Sequence, residues 1–97
     1  MTHEIRPAVT AAIRKIVKKR LKGLPVEECR IAGAADPDGD EAIFVDVHYV
    51  RPSDTPIDPR SNTELQSEVW EAVFRLGERR FPYIEHYFAD GQKIKGW

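Results

Sequence analysis

Three aspartates at alternating positions, Asp36, Asp38 and Asp40, form the densest group of hard-cation ligands in the chain. Carboxylates at that spacing can converge on one divalent ion, as they do at the start of a calcium loop. The remainder of such a loop is missing. Glu41 stands where the sharp turn needs glycine, and Val47 where a bidentate glutamate must close the coordination sphere. The same residues make better sense as a turn, Asp36-Pro37-Asp38-Gly39-Asp40, with Pro37 fixing its own φ and Gly39 taking the left-handed conformation. Metal binding at Asp36, Asp38 and Asp40, within a metal-dependent enzyme, is the lesser reading. Hairpin formation is the main one.

Two histidines could carry proton transfer. His48 follows Asp46 by two residues, and His86 with Glu85 would join them if the last strand lay beside the hairpin. No nucleophile accompanies them, and Glu28 opposite His48 makes an ordinary cross-strand pair. Cys29 falls on the apolar side of its strand and reads as a small core residue. Gly-rich phosphate loops are absent from the sequence. No catalytic residue, metal or cofactor is assigned.

A third constellation is electrostatic. The net charge is −1, yet residues 1–22 hold seven cations (Arg6, Arg14, Lys15, Lys18, Lys19, Arg20, Lys22) against Glu4 alone, which is +6. By difference the rest of the chain is −7. A basic helix of this kind could contact phosphates through Arg14, Lys15, Lys18, Lys19 and Lys22, which makes nucleic-acid binding the second functional reading. It also has a local cause, because cations in the last turns oppose the negative end of the helix dipole.

The elements that must position these groups follow from periodicity. Ile5, Val9, Ala12, Ile13, Ile16, Val17 and Leu21 recur at helical spacing and give one apolar stripe. Pro7 belongs in the first turn, so this helix starts between Glu4 and Pro7, and Gly23 with Pro25 ends it. The hairpin follows over Val26 to Val50. If its turn closes with Asp36 opposite Asp40, Gly33 faces Ile43, Ile31 faces Val45 and Cys29 faces Val47 on an apolar side. Arg30 then faces Asp46, Glu28 faces His48 and Ala32 faces Phe44 on the other side.

Pro52, Pro56 and Pro59 make 51–60 an extended connector, with Ile57 expected to pin it to the body. A second helix opens either at the capping box Ser61 to Glu64 or with Asp58 as cap and Pro59 in first position. Leu65, Val69, Ala72, Val73 and Leu76 form its stripe, and Trp70, Phe74 and Gly77 are expected to widen the buried face. Phe81-Pro82 ends it, Tyr83 to Ala89 is the last strand, and 90–97 turns back as a short edge strand or a tail.

With 97 residues, 41% apolar and 32% charged, the chain fits one α+β domain, residues 1–97. The expected architecture is a two-layer α-β-β-α-β sandwich with two helices on one face of a small antiparallel or mixed sheet. That order is similar to KH domains at the level of element sequence only, and the GxxG clamp is missing. No apolar run approaches the roughly 20 residues that span a bilayer, no secretory h-region is visible, and the single cysteine suits a reducing compartment. The expectation is a cytoplasmic, non-catalytic binding or regulatory module that acts by protein–protein association with itself or a partner, without membrane contact. Its surface would be the sheet face opposite the helices, with Phe44, Asp46, His48 and Tyr87, together with Trp97.

Overall fold

A computed structural model describes residues 4–24, 26–50, 59–88 and 91, with the backbone alone for 59–62. The element order is α1 (Pro7–Arg20), β1 (Val26–Ala35), β2 (Glu41–Tyr49), α2 (Pro59–Arg75) and β3 (Phe81–Tyr87). This is an α+β fold, with two helices packed against a three-stranded mixed sheet of order β1-β2-β3. β1 and β2 are antiparallel, while β3 runs parallel to β2. A parallel return needs a crossover, and α2 supplies it.

The turn sets the hairpin. The Asp36 N–H donates to the Asp40 carbonyl at 2.7 Å, and the Gly39 N–H to the Asp36 carbonyl at 2.9 Å, with Gly39 at φ 89°. From there Gly33 pairs with Ile43, Ile31 with Val45 and Cys29 with Val47, the register expected from the apolar pattern. A bulge between Val26 and Glu28 then shifts the pairing so that Val26 meets Tyr49. Arg30 does pair with Asp46 in register, but its guanidinium bonds Glu28 on its own strand at 3.0 Å.

β2 is the central strand, and its Ile43, Val45, Val47 and Tyr49 meet Val9, Ile13, Ile16, Val17 and Leu21 of α1 and Leu65, Val69 and Val73 of α2. The helices run antiparallel. At one end the Arg6 guanidinium donates to the Leu76 carbonyl, one of the acceptors a helix C-terminus leaves unpaired. At the other end Arg20 bonds Glu68 at 2.6 Å and Glu64 at 3.2 Å.

Four expectations need correction. α1 stops at Arg20 and not at Gly23; the Leu21 N–H closes on Val17, and Gly23 at φ 90° serves the following turn. α2 begins with Pro59 in first position, the earlier of the two expected starts, but ends at Arg75 and does not run on to Phe81-Pro82. Gly77 is no part of its buried stripe. At φ 82° it forms a Schellman stop, with Gly77 N–H to Phe74 O and Glu78 N–H to Val73 O, both 3.0 Å. That early stop frees Phe81 and Pro82 to start β3, two residues before the expected position, and Pro82 is tolerated because β3 is an edge strand.

The fourth correction matters most for function. Trp70 is 52% exposed and Phe74 67%, and Leu76 is also partly exposed, so α2 is not buried over a wide face. This exposed flank of α2 lies at the sheet margin, where Trp70 meets Phe81 of the edge strand β3. The expectations placed on Ile57 and on residues 92–97, Trp97 included, lie outside the described residues.

Candidate interaction surface

The open sheet face takes alternate residues of the three strands. Phe44 and Tyr83 are partners in register, and their rings stack at 5.5 Å and 20°. Two pairs further along, His48 and Tyr87 stack at 5.0 Å and 15°. Between these stacks Asp46 lies opposite Glu85. The Tyr87 hydroxyl donates to Glu85 at 2.7 Å, and that carboxylate raises the phenol to about 12. Burial first, then Asp36, whose carboxylate stands 3.4 Å away, raises the Tyr83 phenol. This surface is aromatic and acidic together. Phe44, Asp46, His48 and Tyr87 share it as their alternation on the strands requires.

The aromatic series continues past the sheet. Tyr83 meets Phe81 edge-on at 4.8 Å, and Phe81 meets Trp70 of α2 at 5.9 Å. Phe74 stands one helical turn beyond Trp70, and the two rings wall adjoining hollows of about 420 and 490 Å³. The result is a belt, Trp70–Phe81–Tyr83–Phe44, that wraps from the helix layer over the β3 edge onto the open face. By apolar spacing alone, Trp70 and Phe74 belong to the core and Phe81 is only a helix stop. The available signal was their offset: both follow the buried Val69 and Val73 by one residue, about 100° around the helix.

The other candidates separate. His86 points to the helix side and is 1% exposed, with Nδ1 2.8 Å from the Tyr49 hydroxyl. Burial lowers the imidazole to about 4 and raises the Tyr49 phenol. Glu85 and His86 are neighbours in sequence, yet the sheet lies between His86 and His48, so the two imidazoles do not meet. Cys29 faces the helices and is half-buried, and burial raises its thiol.

In the turn, Asp36 Oδ1 accepts the Asp38 and Asp40 N–H groups at 2.9 and 3.0 Å, an Asx arrangement that holds the loop. Among the described residues no three His, Cys, Asp or Glu side chains come together as a metal would need. Of the α1 cations, Lys19 and Arg20 pair with Glu68, and Arg14 donates to the Cys29 carbonyl at 2.7 Å. Arg20 holds the Glu68 carboxyl below its usual range. Lys15, Lys18 and Lys22 are exposed and make no ion pair among the described residues. No described helix is long and apolar enough to cross a membrane.

No family model matches the chain, and no curated protein or solved structure shows significant similarity to it.

Proposed function

We propose that this protein is a small non-catalytic binding module that acts through protein–protein association, with the aromatic belt as its contact surface. The observation that carries this is the unbroken series Trp70–Phe81–Tyr83–Phe44, exposed at one end and half-buried at the other. Large aromatics in a contiguous exposed patch dominate the energetics of protein interfaces. Asp46 and Glu85 beside that patch disfavour nucleic acid there, because phosphates would meet carboxylates. The partner the chain itself supplies is a second copy, since a patch of this apolar character can close on itself around a two-fold axis. The half-buried single thiol suits a reducing compartment, and we place the module in the cytoplasm.

Light scattering and sedimentation of the full chain at micromolar concentration test this reading. The wild type should run as a dimer, and Trp70→Ser with Phe81→Ser should return it to monomer with an unchanged far-ultraviolet circular dichroism spectrum. A wild type that stays monomeric across the concentration range defeats the reading.

A further inference from the structure

The opposite margin of the molecule carries a second surface that does not depend on the belt. α1 packs along α2 and touches β1 only lightly, and between α1 and β1 the fold leaves a groove of about 460 Å³. Its floor is apolar: Val17, Leu21, Leu24 and Val26. Its rim is cationic, with Arg14, Lys18 and Lys22 on the same side.

Among the described residues β1 is an edge strand, and the hairpin register says which of its backbone groups are unpaired by β2. The Asp36 N–H to Asp40 carbonyl bond makes 36/40 a hydrogen-bonded pair. Alternation in an antiparallel ladder then makes 34/42, 32/44 and 30/46 bonded pairs too. The N–H and C=O groups of Cys29, Ile31 and Gly33 must point away from β2. The Arg14 guanidinium bonded to the Cys29 carbonyl is in keeping with that direction. Cys29 lines the apolar groove, and from it the row of outward amides runs on along β1 at two-residue spacing, the combination that lets an extended segment add to a sheet.

Charge selects the occupant. A second copy added through β1 would bring its own Arg14, Lys18 and Lys22 near the same rim, so like charges oppose self-pairing. The chain's own 92–97 segment carries Lys93 and Lys95 and has the wrong sign. A nucleic acid finds the cations but no aromatic ring in the lining on which a base could stack. We propose that the α1–β1 groove receives an extended acidic peptide segment of a partner protein. That segment adds as a strand to β1, sets apolar side chains over Val17, Leu21 and Leu24, and turns carboxylates toward Arg14, Lys18 and Lys22.

The test uses the full chain labelled with nitrogen-15 and three probes of about ten residues or nucleotides, the length of β1. They are a peptide repeating Val-Thr-Glu-Thr, which sets Val and Glu together on one face of the added strand, its Lys-for-Glu counterpart, and oligothymidylate. The Glu peptide should bind saturably, shift the Ile31 and Gly33 amides and slow their exchange with solvent. Lys18→Glu with Lys22→Glu should weaken it by roughly tenfold or more. Lys15→Glu, which makes the same two-unit charge change as Lys18→Glu alone but outside the groove, should weaken it far less than that single variant does. Equal binding of the two peptides, tighter binding of oligothymidylate, or shifts confined to the Phe44 and Trp70 side would each overturn the proposal.

Discussion

His86 makes the stability of this protein fall as the pH drops below neutrality. The imidazole is 1% exposed, and burial lowers it from 6.5 to about 4. In the unfolded chain the ring gains a proton below about pH 6.5, but the folded state resists that proton until about pH 4. Between those values the unfolded state binds more protons, so stability is complete above pH 6.5 and falls as the pH drops. The slope approaches about 1.4 kcal/mol per pH unit, which accumulates to about 2.5 kcal/mol at pH 4.5. A domain of this size has roughly 5–15 kcal/mol in all.

The groups that face this ring include the Tyr49 hydroxyl at 2.8 Å, and burial is the cause that lowers His86 among the described residues. Glu78 is held down to about 2 by Arg80, so its own contribution is present above about pH 4.5 and is lost only at lower pH. Urea unfolding at pH 7.5, 6.0, 5.0 and 4.5, followed by circular dichroism, measures the slope. His86→Gln keeps a polar partner for Tyr49 but cannot titrate, and its stability should be nearly flat over that range. A wild-type midpoint that does not move between pH 7.5 and 4.5 would refute the reasoning, as would an undiminished slope in His86→Gln.

Two further outcomes follow from the packing. Val69→Ala, at a fully buried position, should cost about 2–3 kcal/mol. Trp70→Ser, one residue further on but 52% exposed, should cost well under that in the same urea assay. Gly77→Ala should cost about 1 kcal/mol through its φ of 82° alone, since an added Cβ meets nothing closer than Arg6 Nη2 at 4.0 Å. A neutral Gly77→Ala would show that the α2 stop does not need the left-handed residue.

Much of the architecture was legible in the linear chain, and for local reasons. Pro37 and Gly39 specify the turn, and a strand alternates its side chains with period two, so one correct turn fixes every pair from Ala35 to Glu28. The α1 stripe is equally local, because 3.6-residue periodicity leaves Val9, Ile13, Ile16 and Val17 on one side. The same alternation gave the open face its Phe44, Asp46, His48 and Tyr87. Side-chain pairing was less accessible: Arg30 sits opposite Asp46 yet bonds Glu28, because flexible exposed ions choose among several partners at little cost.

What the chain could not reveal locally is where the two layers run out. Trp70, Phe74 and Phe81 are apolar enough for a core, and the offset of the first two from Val69 and Val73 does not say by itself what covers that flank of α2. That is settled only when α1, α2 and the sheet come together, and it leaves them as a surface belt. Tertiary packing likewise decided that the basic helix stands off β1, leaving a cationic groove beside the strand that forms the edge among the described residues. Sequence determined the elements and their faces, because those depend on residues near one another in the chain. The sizes of the layers and the gaps at their margins depend on residues far apart, and only the folded molecule brings those together.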